Sequence, residues 1–158
     1  MKETIDDFEI MAPVGSRESL QAAIQAGAGS VYFGVGRLNM RAHSANTFTT
    51  DDLRDIAATC AEHGIKTYLT VNTIIYDGDM EDMHRIVDAA KEAGITAVIA
   101  SDMAVITYCR KAGVEVHLST QLNISNIEAL KFYAQFADVA VLARELTMDQ
   151  VEEIHRQG

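Results

Sequence analysis

Apolar residues recur along this chain in two alternating rhythms. Short, nearly continuous runs (FEIMAPVG, SVYFGV, KTYLTVN, AVIAS, VEVHLST and VAVLAR) are separated by stretches whose apolar positions fall every three or four residues. The runs have the pattern of β-strands buried on both faces, and the spaced stretches that of amphipathic helices. The spacing predicts helices over residues 17–26, 51–63, 79–93, 104–111, 127–136 and 148–156. In the second helix Leu53, Ile56, Ala57 and Cys60 share a face, and in the third Met83, Ile86, Val87 and Ala90 do. Boundary signals agree with this division. SNIE at 125–128 and TMDQ at 147–150 read as capping boxes, and TTDD at 49–52 offers a hydroxyl cap followed by acids that suit a helix start. Gly27, Gly64, Gly94 and Gly113 each fall where a helix must end in a left-handed residue before the next strand.

Strands that alternate with helices pair in parallel, because each helix carries the chain back to the same end of the sheet. Two α/β architectures satisfy this pattern: an open doubly wound sheet and a (β/α) barrel. A closed barrel of this kind takes about eight units, and the chain supplies six. The expectation is therefore one (β/α) domain over residues 1–158, a partial TIM-like barrel of about six units and the N-terminal part of a longer barrel protein. The open first and last strands would then offer unpaired edges, so a homo-oligomer formed through them is expected. After the second strand, GVGRLN has only the first two glycines of a dinucleotide-binding loop and reads better as a tight turn.

Composition narrows the function classes. The net charge is −10, which argues against direct nucleic-acid binding by this segment. No apolar run approaches the roughly 20 residues of a membrane helix. The acidic start MKETIDDFEI lacks the pattern of a secretory signal, so a cytoplasmic location is expected. Cys60 and Cys109 fall on apolar helix stripes and read as buried thiols. No set of His, Cys, Asp and Glu converges as metal ligands.

Ligands of parallel α/β sheets bind outside the carboxyl ends of the strands. Those ends carry the polar residues. Arg37, Asn39, Arg41 and His43 follow the second strand, and Asn72, Thr73 and Tyr76 the third. Ser101 and Asp102 follow the fourth, Thr120, Gln121 and Asn123 the fifth, and Arg144 and Glu145 the sixth. The long loop GRLNMRAHSANTFT, with two arginines and a histidine, suits a carboxylate or phosphate. Structural alternatives stand beside several of these. Asp102 and Ser16 can be helix caps, Asn123 can hold a turn, and Arg144 and Glu145 can pair at the rim. His117, mid-strand, reads as a core histidine bonded to backbone.

The segments MAPVGSRESLQAAIQAGAGSVYFG, NMRA, TYLTVNT, VIASD, LSTQLNISN and VLARELT, in this order, resemble successive strand ends of the U32 peptidase family, also called collagenase-like proteases. The resemblance runs from about Phe8 to the end of the chain. It implies a barrel-like N-terminal α/β domain and peptide-bond hydrolysis. Other members of the family support hydroxylation of tRNA, ribosomal RNA or the ubiquinone ring, and some carry an iron–sulfur cluster. The family's cysteine-rich signature lies beyond the sixth unit, and Cys60 and Cys109 do not match it. The implied pocket residues are Asn39, Arg41, Asn72, Asp102, Thr120, Gln121, Asn123, Arg144 and Glu145. Among them the amides Asn72, Gln121 and Asn123 would orient substrate or an oxyanion. Arg41 or Arg144 would hold a carboxylate, and Glu145 or Asp102 would act as base. The ligand would be a peptide or, in a hydroxylation protein, a small anionic metabolite. A non-catalytic assembly module is the third possibility.

Overall fold

The computed structural model describes residues 9–39 and 48–158. Its strands are β1 (Met11–Pro13), β2 (Ser30–Phe33), β3 (Lys66–Val71), β4 (Ala97–Ala100), β5 (Val116–Leu118) and β6 (Val139–Ala140). The intervening helices are α1 (Arg17–Gln25), α2 (Asp52–Glu62), α3 (Met80–Ala93), α4 (Met103–Ala112), α5 (Ile127–Tyr133) and α6 (Met148–Gln157). All strand pairs are parallel, and their order in the sheet is the order of the sequence. A doubly wound sheet reverses its strand order at a switch point, whereas a barrel advances one strand at a time. The monotonic order decides between the two architectures, and the sheet curls into a half-barrel.

Because side chains alternate along a strand, each strand has a helix-facing set and an inward set. Val31 and Phe33, Leu69 and Val71, Val98 and Ala100, and Val116 and Leu118 face the helices and are fully buried. They meet the apolar stripes predicted for α2 and α3, together with Val105, Ile106 and Cys109 of α4. Each large aliphatic or aromatic side chain buried this way contributes roughly 1.5–3 kcal/mol. Gly94 and Gly113 end α3 and α4 at φ values of 81° and 76°, a left-handed turn that a Cβ would strain.

Several element ends differ from the sequence pattern. Helix α3 starts at Met80, after a 3-10 turn at Asp77–Asp79, rather than at residue 79. Helix α4 begins at Met103, because Asp102 accepts the Ala104 N–H at 2.8 Å and caps it. Helix α5 is capped by Asn126, whose Oδ1 accepts from Ala129 at 2.8 Å, not by Ser125. It also ends at Tyr133 instead of continuing to residue 136. The TMDQ box forms as predicted: Thr147 and Gln150 exchange hydrogen bonds at 2.8 and 3.3 Å. At the start of α2, however, the Thr49 hydroxyl donates to the Asp52 carboxylate rather than accepting a helix N–H. Among the described residues, no helix is long and apolar enough to cross a membrane.

Candidate functional site at the strand-end rim

The run STQLN that follows β5 is a turn, not more strand. Ser119 Oγ accepts the Gln121 N–H at 3.3 Å, and a 3-10 turn forms over Thr120–Leu122. Asn123 closes it at φ 51°, a left-handed conformation that asparagine tolerates better than most residues. The Thr120 carbonyl accepts the Asn123 N–H at 3.0 Å. Ser119 and Asn123 are therefore turn-formers, and they leave the exposed Gln121 side chain at the tip.

Three strand ends are joined here. The Ser101 hydroxyl after β4 lies 3.1 Å from the Asn72 carbonyl after β3 and 3.2 Å from Gln121 Oε1 after β5. Beside it, Asp102 uses both carboxylate oxygens on backbone. Oδ1 takes the Ala104 N–H at 2.8 Å, and Oδ2 takes the Ile75 N–H at 2.9 Å. Asp102 thus ties the loop after β3 to the start of α4, the structural alternative raised from its position before a helix. The Thr73 Oγ1 is buried and has no hydrogen bond among the described residues. The same tie sets Ile74 and Tyr76, both 69% exposed, on one rim with Met103, 38% exposed.

The loop after β2 is anchored at its root. Arg37 pairs with Asp79 at 2.5 Å and lies 3.6 Å from Asp82. The Tyr76 N–H, and then Arg37, hold the Asp79 carboxyl below its ordinary value. Arg37 therefore anchors the root of this loop to the start of α3. Asn39 is buried at 3% exposure, and its Nδ2 donates to the carbonyls of Val35 and Gly36 at 3.3 and 3.2 Å. A Cβ on Gly34 would sit 2.3 Å from Asn39 Cγ, so the glycine makes room for this lock. Arg41 and His43 lie outside the described residues. After β6, Arg144 and Glu145 are exposed in a turn at the same end of the sheet, and they form no ion pair or hydrogen bond among the described residues.

The inward face carries a second polar group that the sequence pattern did not reveal. Tyr68 on β3 donates to Glu9 at 3.3 Å and packs against His117 on β5 with ring centroids 5.2 Å apart. The contact passes over β4 where the residue in register with Tyr68 is Ala97, small enough to let the curl bring the rings together. His117 Nε2 meets Glu115 Oε1 at 2.9 Å, so its partner is a side chain and not the expected backbone. Burial, and then the Glu9 charge, raise the Tyr68 pKa. The one available clue was that Tyr68 and His117 both occupy inward positions of alternate strands.

The two thiols do not suit a cluster. Cys60 and Cys109 are fully buried between helix and sheet, and burial pushes the Cys109 pKa up to about 12 and raises that of Cys60. Ligation needs the thiolate, which these surroundings disfavour. A cavity of about 350 Å³ opens elsewhere, between α5 and α6, lined by Ile127, Asp149 and Ile154 among others. It contains none of the predicted site residues, and the strand-end rim remains the place where several loops converge.

Comparison with known proteins adds four findings. The family profile described as peptidase family U32 matches residues 15–158. A protein named "Collagenase" from Porphyromonas gingivalis is 66% identical over 151 residues, 96% of this chain and 36% of that protein. A "tRNA hydroxylation protein P1" from Bacillus subtilis is 32% identical over 92% of this chain and 35% of its own length. The chain thus spans about a third of the length of these curated relatives. Among solved structures, a U32 peptidase superposes with a TM-score of 0.75 at 14% identity, covering 100% of this chain and 68% of that one. At that identity the likeness establishes the fold alone, a partial TIM-like barrel.

Proposed function

The chain belongs to peptidase family U32, and we propose that its parent protein hydrolyses peptide bonds of a collagen-like or related polypeptide at the rim of strand ends. The observation that carries this reading is the 66% identity with the Porphyromonas gingivalis protein named "Collagenase". The rim supports it chemically. Gln121 offers a carboxamide, and Arg144 a cation for a peptide carboxylate. Ile74, Tyr76 and Met103 provide exposed apolar surface on the loops that Asp102 ties together. Asn72 and Thr120 line the same rim, whereas Asn39 holds the Val35 and Gly36 carbonyls and Asn123 closes the turn after β5. Glu145 is the better base of the two carboxylates, because both oxygens of Asp102 already accept backbone N–H groups. The proposed general base would activate the water that attacks the scissile carbonyl.

The test is hydrolysis of gelatin by the full-length protein. The reading expects cleavage, lost in Glu145→Ala and weakened in Arg144→Ala with the circular dichroism spectrum unchanged. A wild-type protein that cleaves no peptide contradicts it. A second reading, RNA hydroxylation, is favoured by the similarity to the Bacillus subtilis tRNA hydroxylation protein. In that case the parent would restore a missing hydroxylated nucleoside to tRNA in a deletion strain, and Glu145→Ala would leave gelatin untouched because the wild type does too.

A further inference from the structure

We propose that Ser101 is a positioning residue for Gln121, and that together they read the amide groups of a bound polypeptide backbone. This rests on the rim being the site where a peptide lies. The Ser101 hydroxyl has two acceptors within reach, the Asn72 carbonyl at 3.1 Å and Gln121 Oε1 at 3.2 Å, and a hydroxyl has a single proton to give. The Asn72 carbonyl can only accept. The Gln121 carboxamide can turn over and offer either end.

Two arrangements follow. When Ser101 donates to Gln121 Oε1, the Gln121 amino group faces away from Ser101 as a donor for a substrate carbonyl. When Ser101 donates to Asn72, the carboxamide flips. It then donates an N–H to the Ser101 oxygen and presents its own oxygen to a substrate N–H. In both states Ser101 holds Gln121 in place while its outer face changes character. Gln121 is placed for this use: its backbone N–H is pinned to Ser119 at 3.3 Å, its side chain is exposed, and its Nε2 has no partner among the described residues. A polypeptide backbone offers carbonyl and N–H groups in alternation and matches such a reader. A carboxylate offers acceptors alone, and inorganic phosphate lacks the alternating spacing of carbonyl and N–H groups.

The test follows the Gln121 side-chain amide by NMR in full-length protein labelled with ¹⁵N-glutamine, titrated with N-acetyl-Gly-Ala-amide. The expected result is a dispersed Gln121 signal that shifts on adding the peptide. In Ser101→Ala it moves to the position of a free carboxamide, and affinity falls about tenfold, the loss of one well-placed hydrogen bond. Ser101→Thr restores both, and inorganic phosphate or acetate moves nothing. The proposal is overturned if Ser101→Ala leaves signal and affinity as in the wild type, if the peptide does not shift Gln121, or if phosphate does so in its place. Peptide binding without gelatin cleavage would uphold this inference while removing the hydrolase reading. Cleavage that persists in Ser101→Ala with an unchanged Gln121 signal would do the reverse.

Discussion

The helix-facing side of the sheet presents Phe33, Leu69, Val98 and Leu118, each at 0% exposure, to the stripes of α2, α3 and α4. The inward side, reached by shifting one residue along the same strands, presents Tyr32, Tyr68, Thr70, Ile99 and His117. At its margins Met11, Val139 and Val141 are 44, 43 and 41% exposed. One side is packed apolar contact apart from Thr67, buried at the start of β3 and bonded to Thr96. The other mixes hydroxyls, rings and a histidine, and its polar links reach from one strand to another. The contrast divides the labour within each strand: the outer side sets stability, while the inner side and the rim above it carry the polar groups on which the proposed function rests.

Substitutions sharpen the contrast in descending order of effect. Phe33→Ala removes a ring that meets Phe48 edge-on at 5.9 Å inside the outer core. It should cost about 3–5 kcal/mol in urea unfolding, and a cost near zero would break the distinction between the two sides. Ala97→Leu fills the gap over which Tyr68 reaches His117 and should cost about 1–3 kcal/mol by overpacking. It should also disperse the His117 ring signals by NMR, whereas unchanged signals would show that the rings do not meet across β4. Tyr68→Phe deletes only the hydroxyl bonded to Glu9 and should cost about 1 kcal/mol.

The smallest effect is electrostatic and depends on pH. The folded state holds Asp79 and Asp52 below their ordinary carboxyl value, through the Tyr76 and Thr49 N–H groups first and Arg37 and Arg17 after them. A depressed pKa stabilises the folded protein while the group is ionised. That contribution is complete above about pH 4, the ordinary carboxyl range, and fades as the pH falls through the lower folded value. Asp79→Asn should therefore flatten the acid limb of the stability curve, and a curve of unchanged shape would count against the Arg37 anchor.

How much of this could be read from the chain follows from which forces are local. The stripes of α2 and α3 repeat with helical spacing, and they are the buried residues. The parallel α/β class followed from the alternation of strands with helices and the count of units, whereas the strand order that separates a barrel from a doubly wound sheet is a long-range feature seen in the structure. VEVHLST has the pattern of one extended run, but the Ser119 hydroxyl captures a backbone N–H two residues on and turns the chain after Leu118. At α5, Asn126 wins the cap from its neighbour Ser125, and the ring-rich stretch Phe132–Phe136 suggested more helix than forms. Topology alone placed Asn72, Gln121 and Arg144 at one end of the sheet. The bridge through Ser101, like the contact of Tyr68 with His117, joins residues 20 or more positions apart. No periodicity encodes it.

Hydrogen–deuterium exchange of the full-length protein, with and without a gelatin-derived peptide, tests the central claim most directly. Slowed exchange in residues 72–76, 101–103, 119–123 and 144–145, with the helix-facing core unchanged, is the predicted result. Protection confined to the α5–α6 groove or to the outer helices, with the rim unaffected, would contradict it.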